Sequence, residues 1–183
     1  RLSCAPGTVK SGICWRDVVN PTKEHEELAE KHRKLAGQHR AASQSLVTAE
    51  GWACAGLDDD DRDMSPFAHA ADIRSVSRVQ EEVVSEGGPS PGPYTGATIV
   101  LQAVPGLSAP WLQRIVDCHL ARNAAMGHPT AESEMPNCPL AVNGAHAVVR
   151  EVNTGFAVDV ISSESGAATE IWARAQRLAR SGG

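Results

Sequence analysis

Aromatic side chains are scarce, with 2 Phe, 1 Tyr and 4 Trp in 183 residues. A chain of this length still buries a sizeable core, so Val, Leu and Ala must supply most of its packing. Long apolar runs are missing too. The longest, Ala97 to Val104, is strand-sized and interrupted by Thr98 and Gln102, far short of the roughly 18–20 residues of a membrane-spanning helix. There is no basic block and no interleaving of aromatic with basic residues, and the net charge is -5. That balance excludes the electrostatic footprint of a nucleic-acid-binding protein. No G-x-S-x-G marks a hydrolase nucleophile. Gly87-Gly88 and Gly92 are separated by prolines rather than gathered into a phosphate-binding loop.

The five cysteines, Cys4, Cys14, Cys54, Cys118 and Cys138, contain no C-x-x-C pair, which argues against zinc-ribbon and thioredoxin-type sites. An odd count leaves one thiol over if the others pair. Cys4 and Cys14 bracket a short loop holding Ala5-Pro6-Gly7, and Cys118 and Cys138 bracket a second loop-rich stretch. Each of these pairs is expected to close a ring in an oxidising compartment. The chain begins without Met, as a processed product would. Leu2-Ser3-Cys4 has the order of a lipoprotein leader's end, but Arg1 stands where an apolar residue belongs. Cysteine, tryptophan and proline usage together point to a periplasmic or secreted protein.

Four stretches are distinguishable along the chain. Residues 1–21 read as an irregular segment with a short apolar cluster at Ile13, Cys14, Trp15, Val18 and Val19. Residues 22–86 read as helical. Thr22 offers a capping hydroxyl before Glu24 and Glu26, and good helix formers follow to about Cys54, with Gly56 as the stop. The run Asp58 to Asp63 is expected to be a solvated acidic linker. It fails the calcium-loop pattern, because position six from Asp58 is Asp63 rather than Gly, and position twelve is His69 rather than Glu. Ile73, Val76, Val79 and Val83 then predict a second helix over about 72–85. Residues 87–96 hold four Gly and three Pro in ten positions and read as a linker. From 97 to 183 the pattern is β-α-β-β-α. It comprises a strand at Ala97–Val104, a helix capped by Ser108 and ended by Gly127, a hairpin of Ala145–Val152 with Phe156–Ile161, and a last helix from about Gly166 to Ala179. The fold class is α+β: a long N-terminal helix or helical hairpin followed by a sandwich with a small, largely antiparallel, three-stranded sheet. The helices lie on one face, the long one packing there too.

The pattern that asks for a chemical explanation is on the first helix. His25, His32 and His39 are seven apart, and Leu28, Leu35, Ala42 and Ala49 follow at the same period. Labelled as a heptad, the histidine series continues through Leu46 and Ala53, so the imidazoles share the apolar stripe. Seven residues span roughly 10 Å of helix, so the three cannot hold one ion from one straight helix. Each needs partners from another element or another chain. The ordinary account is a half-buried seam whose histidines bond to carboxylates or water. The functional accounts are a transition-metal site and a pH-sensitive seam, since imidazole titrates near pH 6.5.

Cys118-His119 is the second constellation. Leu112, Ile115, Val116 and His119 form one stripe on their helix, with Cys118 beside it. A Cys and a His suit copper or zinc, or an activated thiolate, against the ordinary account of a buried thiol or disulfide. Met126, His128 and Met135 extend the soft-ligand set. The sequence therefore predicts an exported accessory protein that stores, delivers or senses copper, zinc or nickel through His25, His32, His39, His119 and Cys118. The alternatives are an envelope interaction module whose long helix pairs with a partner helix or a second copy, and a small enzyme using Cys118 or His119.

Overall fold

A computed structural model describes residues 2–4, 14–16, 21–85, 88–127 and 137–181. The chain divides into two compact units, Arg1–Ala42 and Ser43–Gly183. In the first, β1 (Leu2–Cys4) pairs antiparallel with β2 (Cys14–Arg16), and the register sets Cys4 opposite Cys14. The N-terminal stretch expected to be irregular thus contains a two-stranded hairpin. The long helix α1 runs from Pro21 to Ala53. It stops where expected, just before Gly56, whose φ of +78° only glycine adopts without cost.

In the second unit the acidic run is not a linker. Asp59–Asp63 forms a short helix, α2, and the Asp58 side chain accepts the Asp61 N–H at 2.8 Å. An aspartate at this place satisfies a free amide of the first turn. A turn follows in which Ser65 Oγ accepts the Phe67 N–H, and Phe67 plugs the core.

The predicted second helix is instead a strand, β3 (Ile73–Ser85), and the predicted Gly/Pro linker is most of β4 (Gly88–Gln102). Both errors have a physical cause. A bulge between Ile73 and Ser75 adds a residue. It puts Ile73 and Val76, three apart, against the same core and so imitates a helical spacing. The prolines of β4 survive because β6 covers only Gly96–Gln102 of that strand. Pro89 and Pro91 lie beyond it, in a ribbon with β3 alone, where one edge is open and a missing N–H breaks no ladder.

The sheet has four antiparallel strands in the order β3-β4-β6-β5, not three. The hairpin of β5 (His146–Val152) and β6 (Gly155–Ile161) turns at Asn153-Thr154. Helix α3 (Ala109–Ala125) is capped by Ser108, and α4 runs Ser165–Ser181. Ala97, Ile99 and Leu101 alternate along β4, as do Phe156, Val158 and Val160 along β6. These residues cluster with Leu112 and Val116 of α3 and Ile171 and Ala175 of α4. Alternation of period two puts each set on one face, and both helices cover it. Ile171 alone, wholly buried, is worth roughly 1.5–3 kcal/mol. No helix among the described residues is long and apolar enough to cross a membrane.

Candidate functional site

The histidine helix carries its stripe in the open. Residues 22–49 are exposed except half-buried Gly37. Leu28, Leu35 and Leu46 keep 50%, 40% and 42% of their surface, and Trp52 keeps 79%. The seam expected to be half-buried is therefore exposed. What holds this helix is propensity and surface pairing. Arg33 donates to Glu30 at 2.8 Å and Lys23 lies 4.0 Å from Glu27, exposed pairs worth only a few tenths of a kcal/mol. His25, His32 and His39 follow each other up the same face and do not converge. Among the described residues, no group of three or more His, Cys, Asp or Glu could hold a metal ion.

The second constellation is buried in unit two. Cys118 is not a free thiolate. It is bonded to Cys54, with the two Cα atoms 4.6 Å apart, so its sulfur is withdrawn from both metal ligation and nucleophilic attack. The pairing of Cys118 with Cys138 is likewise corrected. Cys138 is a free, buried cysteine beside Ser65 Oγ at 3.5 Å, and burial pushes its thiol up from the usual range. The expected ring of Cys4 and Cys14 concerns side chains outside the described residues, as do His128 and Met135.

His119 faces the core, as its stripe predicts, and is 1% exposed. Its Nε2 contacts the Met64 carbonyl oxygen. A carbonyl only accepts, so Nε2 carries the proton and Nδ1 is the bare nitrogen. Nδ1 has no hydrogen-bond partner among the described residues, and neither does the side-chain amide of Asn123, one turn further on. Asn123 was legible in principle, since it lies four residues from His119 on one helical face. The Met64 carbonyl was not, because nothing in a sequence announces a backbone acceptor from 55 residues away. Arg122 and Arg62 bond Asp63 and hold its carboxyl below the usual range, tying α2 to α3. Arg174, also buried, donates to the Cys138 carbonyl at 3.2 Å and to Glu170 at 2.8 Å.

Burial holds the His119 imidazole below its ordinary titration range, and Arg122 adds to this, while the Met64 carbonyl and Asp63 oppose it. Folding thus favours the neutral ring. The stabilisation is full above the imidazole range and is lost as pH falls through it, because the unfolded chain takes up the proton first. Urea midpoints at about pH 7.5 and about pH 5.5 should fall with pH in the wild type, and His119→Gln should flatten that slope. An unchanged slope in the variant would assign the acid sensitivity to another group.

Comparison of the chain with protein-family models, with curated proteins and with solved structures finds no match.

Proposed function

We propose that this chain is a self-associating interaction module of an oxidising, extracytosolic compartment, in which α1 pairs antiparallel with α1 of a second copy. The observation that carries it is the exposed stripe of Leu28, Leu35 and Leu46 on α1, which in water favours burial against a like surface. The compartment is supported by the Cys54–Cys118 disulfide, a bond rare in reducing cytosol.

Register decides the orientation. A parallel pair sets each histidine against its own counterpart. An antiparallel pair sets Leu28 against Leu46, His25 against Ala49, His32 against Ala42 and Leu35 against His39 of the second copy, so every imidazole meets an apolar side chain. The flanking positions are compatible: Ala29, Ala36 and Ser43 on one side, Lys31, Gln38 and Ser45 on the other bring no like charges together. The same register leaves His32 about one turn, roughly 5 Å, along the axis from His39 of the second copy. That is the separation at which two imidazoles share one ion. Copper, zinc or nickel storage or sensing by these histidines is in this form a property of the dimer, not of one helix.

Sedimentation equilibrium of the whole chain tests this. The wild type should show a concentration-dependent dimer at neutral pH. Leu28→Asp with Leu46→Asp should leave a monomer of unchanged helix content. Zinc should tighten the wild-type dimer and leave His32→Ala with His39→Ala unaffected. A monomer at every concentration overturns self-association, and zinc indifference in the wild type overturns the metal component.

A further inference from the structure

A cavity of about 280 Å³ opens between α2, the turn that follows it, β4 and α3. It lies wholly in the second unit. Its size is at the small end of ligand pockets, which run from about 300 Å³ upward. Leu101, Leu107, Leu112 and Ile115 supply an apolar wall, and Asp60, Asp61 and Asp72 stand at the polar side. Two of these carboxylates are fixed by neutral donors. Trp111 Nε1 donates to Asp61 at 3.1 Å, and the Gln102 amide donates to Asp72. Among the described residues no Lys or Arg pairs with any of the three, although Asp59 and Asp63 nearby are both paired. An apolar wall beside oriented carboxylates that pair with no Lys or Arg is complementary to one chemical class: a cation with a hydrophobic body.

We propose that this cavity binds a small organic ammonium ion, its apolar body against α3 and its charged head at Asp60, Asp61 and Asp72. Binding drives the tail out of water, and the acidic rim decides the sign of the head group, excluding carboxylates of the same length by repulsion. A purely apolar ligand gains only the first part. The three cases are therefore separable by three probes of equal chain length.

Calorimetric titration of the whole chain at low salt with n-octylammonium, 1-octanol and n-octanoate makes the comparison. Octylammonium should bind once per chain, on the order of tenfold or more tighter than octanoate, with octanol between them. Asp61→Asn with Asp72→Asn should erase that order and leave octanol affinity unchanged, since asparagine keeps an acceptor for the Trp111 N–H. Val104→Trp, at an exposed position of the lining, should block all three probes without disturbing the core. Absence of octylammonium binding overturns the proposal. So does equal affinity for octanoate, or binding that survives Val104→Trp.

Discussion

Removing the Cys54–Cys118 disulfide is expected to cost about 4 kcal/mol of folding stability. The bond joins residues 64 apart in sequence, and the loss follows from the conformational freedom that an unlinked loop of that length recovers on unfolding. Domains of this size are stable by only about 5–15 kcal/mol, so the bond carries a large share. Cys54→Ala with Cys118→Ala is the suitable variant. Serine at 118 would bury a hydroxyl at a position that is 0% exposed, adding an unrelated penalty. Urea unfolding of the variant should show a lower midpoint and a steeper slope, because the unlinked denatured chain exposes more surface, and reductant should bring the wild type to the same place. A variant within about 1 kcal/mol of the wild type would mean that contacts of α3 already restrict this loop in the unfolded ensemble.

The second large effect is expected at the hairpin. Gly155→Ala should destabilise by about 3 kcal/mol or more. Gly155 opens β6 with φ of +142°, a region closed to other residues. A Cβ there would overlap the Leu101 carbonyl oxygen and stand 2.5 Å from the Ala103 nitrogen. Both neighbours are backbone, Leu101 within β4 and Ala103 directly after it, so no rotamer change relieves the overlap. The pairing of Gln102 with Gly155 would have to open instead. Gly106→Ala separates strain from overlap. Its φ is +87°, yet nothing lies within 4 Å of an added Cβ, so it should lose only about 1 kcal/mol. Equal urea midpoints for the two alanine variants would show that close approach of β6 to β4 contributes nothing at Gly155.

Some elements are set by local signals and others by their tertiary partners. Helix α3 was readable from Ser108, Pro110 and Gly127, because caps and breakers act within one turn. Ser108 Oγ does accept the Trp111 N–H, at 3.4 Å. The β5–β6 hairpin was readable from alternation around Asn153-Thr154-Gly155. Strand β3 was misread because a bulge changes the spacing of inward residues, and bulges are settled by the partner strand. The first half of β4 was misread because its prolines forbid a central strand but not an open edge. Which edge is open depends on where β6 ends.

The candidate sites divide along the same line. The spacing of His25, His32, His39, Leu28 and Leu35 is a property of the sequence, and it settled that those side chains share one face of α1. It did not settle that the face stays open, which depends on what else packs there. The partner of Cys118 was beyond any spacing rule, since Cys54 meets it only when the end of α1 is laid against α3. The cavity with its three carboxylates draws on four separate segments and has no sequence signature at all. Caps, periodicities and turns are fixed by interactions within a few residues, so the sequence alone determined α1, α3, α4, the β5–β6 hairpin and the α+β class. Disulfide pairing, the Met64 partner of His119, the bulged strand and the acidic cavity each require residues tens of positions apart to meet. Only the packing of the whole unit, which decides what is removed from water, could determine them.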